Sequence, residues 1–399
     1  MDFIIIGGGI IWLGTAHQLL EKFPDYKVIV LEKEKKPGRH QSSHNSGVLH
    51  AGLYYKPGSL KAKLAVKGIR QMKAFCEKHD IPHETCGKLV VAVDQTEVER
   101  LEELFQRGQQ NGLVGLEKCP IERMKELEPH VHGVAAVRVP EEGIVDFEQV
   151  CQRLGSEIVS NGGQLKVGFE VKNIQRTSHG WEINHGSSNS LCADFIINTA
   201  GLFSDRVCGL TGRNPKVKII PFRGEYYKIK KEKSYLVRNL IYPVPDPKFP
   251  FLGVHFTRLI HGNIEAGPNA VLALSREGYR RNNVNLRDSV ESLTFPGLWR
   301  FGFKHLSMCW NETCMSLNKS YFCNALKRLI PDLCKEDLCT GGTGVRAQAM
   351  NKNGNLEQDF IIQCGDRILH LLNAPSPGAT ASLAIADYIV EKIKSDYYN

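Results

Sequence analysis

The sequence predicts an α/β fold in which a parallel-sheet, dinucleotide-binding domain is interrupted by a second, largely antiparallel domain. Three observations predict it. Residues 3–32 read as strand, glycine turn, helix and strand. Further apolar strands stand near residues 195 and 361, each next to a small-residue turn and a helix. The stretches between alternate apolar and polar residues, as half-buried strands do. A chain of 399 residues also exceeds one simple core, so two domains are expected.

Phe3–Ile6 reads as a short buried strand. Gly7 and Gly9 fill the first two positions of G-x-G-x-x-G, where the turn is tight and backbone approaches a pyrophosphate. A helix from Ile10 to Glu21 then points its amides and dipole at the phosphates. The strand Lys27–Leu31 ends at Glu32, placed to bind ribose hydroxyls. The third glycine position holds Trp12, and an indole cannot enter that gap unchanged; Gly14 does not restore the spacing.

Arg39–Lys56 is a polar, aperiodic run containing His44, Gly47 and His50. A histidine near neutral pKa suits removal of an alcohol proton, although composition alone slightly favours a glycine-rich surface loop with solvated histidines. A helix over Ser59–His79 closes this segment. Next come a strand at Lys88–Val93 and a helix at Val98–Asn111, then a helix at Asp146–Ser160 and strands near Gln164–Gly168 and Trp181–Asn184. The apolar run from Ala193 enters a second glycine turn, Thr199–Asp205, with Gly201 at its centre and Ser204 and Asp205 as capping candidates.

Strands at Glu225–Ile229 and Phe251–Thr257 precede a helix at Asn318–Leu329. In Gly341–Met350, Arg346 amid small residues could clamp a carboxylate bidentately, or be a surface arginine in a turn. After a strand at Phe360–Gln363, Asn373–Ser382 turns into a helix over Ala379–Lys394, its amides suited to a flavin carbonyl or a phosphate. The cofactor domain is therefore expected at 1–85, 145–212 and 340–399, and the substrate domain at 86–144 and 213–339. NAD and FAD both use the opening unit; the second glycine turn and Asn373–Thr380 point to FAD.

With 42% hydrophobic and 24% charged residues, the composition is that of a soluble enzyme. The net charge of +8 suits an anionic cofactor and a dianionic substrate, or weak attraction to anionic lipid. The absence of a dense basic block argues against nucleic acid. Cys309/Cys314 and Cys334/Cys339 have C-x4-C spacing, but no His-x3-His completes a zinc set, so reduced thiols and no metal are expected. The first strand begins directly after Met1 and Asp2, and no apolar run is long enough to span a bilayer. The expectation is a cytoplasmic chain, peripheral on an inner membrane at most, with no strongly basic amphipathic helix standing out.

In order, His40–Gly47, Tyr54–Lys63, Cys86–Val93, Gly143–Asp146, Pro221–Tyr226, Ile241–Asp246, Phe249–Thr257, Gly267–Ala270 and Asn373–Pro377 resemble one family nearly end to end. It is the L-2-hydroxyglutarate dehydrogenase/oxidase family of the D-amino-acid-oxidase-like superfamily. The resemblance implies a Rossmann-like FAD-binding domain with an inserted, largely antiparallel α+β substrate domain. It also implies FAD-dependent oxidation of L-2-hydroxyglutarate to 2-oxoglutarate by hydride transfer from C2 to flavin N5. Electrons would pass to a quinone or electron-transport partner at a membrane surface, or to oxygen.

By the same resemblance, Gly7, Gly9 and Glu32 hold the ADP half of FAD. His44, Gly47 and His50 lie along the isoalloxazine, with Gly201 in the second glycine turn and Ser376, Gly378, Ala379 and Thr380 on the other edge. His50 or His255 is the base, and Arg346, Arg223 and Lys56 are the carboxylate partners. The family has glycine where Trp12 stands, which implies weakened FAD retention with the fold intact. Two rival readings are an amino-acid or sarcosine-type oxidase, whose substrate needs one cationic anchor rather than two, and a cofactor-poor non-catalytic homologue supported by Trp12 alone.

Overall fold

The computed structural model describes every residue except 187–189, 248, 398 and 399. Its first strand, Asp2–Ile6, is rich in β-branched and aromatic residues, which favour extended backbone. Phe3, Ile4 and Ile5 are fully buried, as a central parallel strand covered on both faces requires. Lys27–Glu32 pairs with it in parallel on one side and Phe195–Asn198 on the other. Gln164–Val167 forms one edge of this six-stranded sheet; Ile368–Asn373 and the antiparallel Ile361–Gly365 complete the other.

The helix Ile10–Lys22 packs between Phe147–Ser160 and Ser382–Tyr397, and Leu60–Lys78 lies against the latter. Gly14 serves this packing, since a Cβ there would meet the Ser382 carbonyl at 3.4 Å. Two helix starts follow from capping: Ser59 accepts the Ala62 N–H, and Asp146 accepts those of Glu148 and Gln149. The opening strand stands where the strand order reverses, so the crevice beyond its carboxyl end is the place an open α/β sheet offers to a ligand.

A nine-stranded sheet forms the second layer and is antiparallel except where Lys88–Ala92 runs beside Leu240–Pro243. Its longest members, Lys218–Ile229 and Leu338–Met350, pair along their whole length. This corrects two expectations. Residues 341–350 are strand rather than turn, and they belong to the second sheet rather than to the cofactor domain. The glycines there permit close approach instead of chain reversal: a Cβ on Gly341 would lie 2.6 Å from the Tyr226 carbonyl, and one on Gly344 2.5 Å from that of His44.

The strand expected at Phe251–Thr257 begins only at His255. Pro250 and Gly253 lie just upstream, and proline has no N–H to give a ladder. The last helix begins at Ser382, later than expected; the turn before it is closed by hydrogen bonds from the Ala381 N–H to Pro377 and from the Ser382 N–H to Ala379. All twelve cysteines are free thiols. Among the described residues no helix is long and apolar enough to cross a membrane.

Candidate active site

One cleft of about 1590 Å³ runs from the opening glycine turn to the second sheet. At its first end lie Gly7, Gly9 and Glu32, with Phe169 and Val171 closing it. Gly7 has φ 110°, a left-handed conformation that favours glycine. A Cβ on Gly9 would stand 3.3 Å from the Ser42 hydroxyl, which accepts the N–H of Ile10 at the head of the helix. Glu32 is buried, receives the Glu34 N–H at 2.7 Å and approaches Gly8 so closely that a Cβ there would meet its carboxylate at 2.7 Å.

The polar loop and the C-terminal turn are joined by one hydroxyl. Thr380 donates to the Val48 carbonyl at 3.1 Å and accepts the His50 N–H at 3.2 Å. Ser376, Gly378 and Ala379 line the cleft beside it, and Gly201 lines the facing wall. His44 also lines it, its ring tilted against that of Tyr279 at 4.2 Å, with burial drawing its pKa below the ordinary value. Gly47 does not reach the cleft. Its φ of 65° shapes the loop, and its carbonyl accepts the Val145 N–H. Ser204 and Asp205 are not caps: the Ser204 hydroxyl donates to the Leu372 carbonyl, and Asp205 takes two hydrogen bonds from buried Arg276.

Two histidines stand at the far end, in different surroundings. His255 is buried at the start of its strand, its ring stacked 3.9 Å from Tyr242. Its Nδ1 lies 2.9 Å from the Gly253 carbonyl, which places the proton on Nδ1 and leaves Nε2 as acceptor. Burial pulls its pKa down to about 3, so the ring is neutral. His50 instead has Nδ1 3.4 Å from Glu142, whose other charged neighbour is Lys88 at 2.7 Å. Burial would raise the Glu142 pKa, but Lys88 and His50 outweigh it and bring it down to about 2. The Lys88 ammonium also faces the rings of Tyr54 and Tyr242, at 4.4 and 4.9 Å.

Of the three expected carboxylate anchors, one lines the cleft. Arg346 donates to the Asn269 carbonyl at 3.2 Å, lies over the Phe251 ring and has no ion-pair partner among the described residues. Arg223 is on the opposite face, because Phe222 and not Arg223 stands across from Arg346. Its guanidinium is held by Glu225 at 3.0 and 3.2 Å. Lys56 sits in an exposed turn outside the cleft. Another cation that lines it is Lys61, the second residue of the following helix. Burial lowers its pKa to about 8, and Nζ donates to the Gln358 carbonyl at 3.2 Å.

Sequence reasoning thus missed Lys61, Lys88 and Glu142. A lysine heading the otherwise apolar run Lys88–Ala92 was the available signal for the buried pair. Lys61 carried none that separates it from Lys56 or Lys63.

The chain fits FAD on its own geometry. The glycine turn, the buried carboxylate of Glu32 on the cleft and the length of the cleft suit a dinucleotide, and the buried Thr199 hydroxyl on the cleft wall has no partner in the protein. The indole of Trp12 lies against the turn, in the place a Cβ on Gly7 would take. A family model described as FAD dependent oxidoreductase matches residues 2–392. The L-2-hydroxyglutarate dehydrogenase of Indibacter alkaliphilus is 48% identical, covering 98% of both chains. The mitochondrial enzyme of that name from Homo sapiens is 41% identical, covering 99% of this chain and 89% of that one. Among solved structures, the dithionite-reduced L-alpha-glycerophosphate oxidase of Mycoplasma pneumoniae with FAD bound has a TM-score of 0.78 at 24% identity, covering 98% and 94%. Glycine oxidase from Geobacillus kaustophilus has a TM-score of 0.75 at 17% identity, covering 99% and 94%.

Proposed function

The chain belongs to the FAD-dependent oxidoreductase family, in the group of the L-2-hydroxyglutarate dehydrogenases, and from that premise we propose that it oxidises L-2-hydroxyglutarate to 2-oxoglutarate. The observation that carries the substrate reading is the pairing of two cations, Arg346 and Lys61, on the cleft that also holds neutral His255. A five-carbon diacid needs two anchors, and a planar guanidinium and an ammonium supply them. Arg346 takes the carboxylate next to C2 and Lys61 the distal one. FAD, when bound, supplies the acceptor for the hydride that leaves C2.

The chain's own residues do the rest. His255 Nε2 accepts the C2 hydroxyl proton, since its Nδ1–H is committed to Gly253 and leaves Nε2 an open acceptor. His50, tied to Glu142 and through its N–H to Thr380, holds the polar loop against the C-terminal turn. Gly7, Gly9 and Glu32 would hold the ADP half, and Gly378–Thr380 the ring end. The electrons continue to a quinone or to oxygen.

The test is a visible absorption spectrum of the purified chain before and after anaerobic L-2-hydroxyglutarate. Bleaching of the flavin band by this acid, and not by glycine or sarcosine, is expected. Bleaching by an amine alone would assign the cleft to an amino-acid or sarcosine-type oxidase. No flavin band even after reconstitution would favour a non-catalytic homologue.

A further inference from the structure

The guanidinium assigned to the carboxylate beside C2 hangs on one hydrogen bond. Among the described residues, Arg346 donates to the Asn269 carbonyl alone, at 3.2 Å, and its other N–H groups are left to the cleft. Arginine carries several donors on a flexible stem, so a single contact fixes its direction only if the acceptor is itself held.

That acceptor is clamped. Asn269 is buried in the turn between the strands Ile264–Gly267 and Val271–Leu272. Its side-chain oxygen takes the Glu225 N–H at 2.7 Å, and its amide donates to the Glu225 carboxylate at 3.1 Å. Gly224 leaves room for the carbonyl, because a Cβ there would stand 3.2 Å from the Asn269 oxygen and 2.9 Å from Pro268. The peptide group that carries this carbonyl also carries the Ala270 N–H, which donates to Glu312 at 2.5 Å. The peptide is trans, so its two hydrogen bonds point in opposite directions, with Glu312 and Arg346 on either side of one planar unit. A carboxylate on the N–H polarises the unit and strengthens its carbonyl toward the guanidinium.

Glu312 is aimed there by helical periodicity. In the helix Leu306–Leu317, Met308, Glu312 and Ser316 stand at i, i+4 and i+8, on the stripe turned toward the sheet. Met308 packs among Ile220, Phe222 and Met350, and Ser316 donates to the Glu225 carboxylate at 2.6 Å. One helix face therefore holds Asn269 twice, its side chain by way of Ser316 and Glu225 and its peptide by way of Glu312. Glu312 is half-buried and has no ion-pair partner among the described residues; the Ala270 N–H is its one hydrogen-bond donor there. Burial pushes its pKa up to about 7, against the pull of that N–H and of Arg346 toward the charged form.

We propose that Glu312 is a positioning residue for substrate binding, which sets the direction of Arg346 through the Asn269–Ala270 peptide and rests on the reading of Arg346 as the carboxylate anchor.

A double-mutant cycle on the flavin-loaded protein tests this. The dissociation constant of 2-oxoglutarate is read from its perturbation of the flavin spectrum in wild type, Glu312→Ala, Arg346→Met and the double variant. Glu312→Ala is expected to weaken binding about tenfold, the worth of one charge-assisted hydrogen bond. Glu312→Gln, whose amide oxygen still accepts the Ala270 N–H, should recover most of that loss. In the Arg346→Met background, Glu312→Ala should change the constant by less than about twofold, because the group it directs is gone. No loss in either background overturns the proposal, and so does an equal loss in both, which would make Glu312 a prop for its helix alone. If 2-oxoglutarate leaves the wild-type spectrum unchanged, the substrate reading fails instead. The same cycle with glycolate, whose single carboxylate requires only Arg346, then still decides the role of Glu312. A wild type that binds neither acid removes the anchor and the proposal with it.

Discussion

A Cβ built on Gly7 would fall inside the indole of Trp12, so the first glycine of the turn and the residue at the third glycine position share one space. The Trp12 Nε1 also stands 3.7 Å from where a Cβ on Gly9 would lie, which lays the ring along the phosphate-facing side of the turn. A diphosphate bound over this turn would compete with the ring for that space. Overpacking of this kind costs about 1–3 kcal/mol, or about 5- to 150-fold in affinity. Trp12→Gly is therefore expected to tighten FAD binding by such a factor, measured by quenching of flavin fluorescence as FAD is titrated with the apoprotein. An unchanged dissociation constant would mean that the indole leaves the turn freely.

His255 carries a distinct pH signature. Because burial holds its pKa near 3, the ring is already a neutral base throughout the working range. The acid limb of kcat/KM set by this base should lie far below pH 6, with a plateau from neutrality down to the onset of acid unfolding. His255→Asn should lower kcat by about 10²–10⁴-fold with the flavin spectrum retained. An equal loss in His50→Asn with His255→Asn silent would move the base to His50.

How much of this was legible beforehand depended on the range of the signal. Ser59 and Asp146 cap their helices through contacts two or three residues away, and the opening strand–turn–helix is equally local, so each stood in the sequence. The pairing of Lys218–Ile229 with Leu338–Met350 spans more than a hundred residues, and glycines that permit close approach look like turn glycines until the partner strand is known. Arg223 and Arg346 looked alike for the same reason: only the register puts them on opposite faces. Lys88 and Glu142 lie far apart in sequence, and neither has a periodicity that betrays a buried partner.

The opposite faces of Arg223 and Arg346 separate binding from folding. Arg346→Lys keeps the charge but loses the planar fork, and is expected to reduce kcat/KM for L-2-hydroxyglutarate by about 10- to 100-fold with stability unchanged. Arg223→Gln leaves Glu225 with Arg281 and takes away one buried partner. It should lower the melting temperature and leave KM unaffected. Steady-state kinetics and thermal melts on both variants check the pair, and a KM effect in the Arg223 variant would return it to the site.

Lys61 adds a basic limb. Its ammonium is charged below about pH 8 and neutral above, so the distal anchor is lost as pH rises through that value. KM for the diacid should rise above pH 8 while kcat holds. Lys61→Arg, whose guanidinium stays protonated, should flatten that rise. A KM profile identical in both proteins would place the second carboxylate elsewhere.

The Lys88–Glu142 pair makes stability itself a test. Glu142→Gln leaves a fully buried ammonium without a counter-charge and should cost about 3–5 kcal/mol in urea unfolding at neutral pH. Replacing both partners, as in Lys88→Met with Glu142→Leu, removes the unpaired charge and should recover much of that loss. The sign of the pH effect follows from the Glu142 pKa, about 2 when folded against an ordinary 4.5. The unfolded chain takes up the proton first, so the pair's contribution is complete above pH 4.5 and drains away as pH falls toward 2. The double variant should lack that acid-labile portion and show a shallower fall in stability over the same interval. A double variant as unstable as Glu142→Gln alone would mean that the hydrogen bond from the Ala51 N–H to Glu142, 3.1 Å long, and not the ion pair, is what the fold relies on.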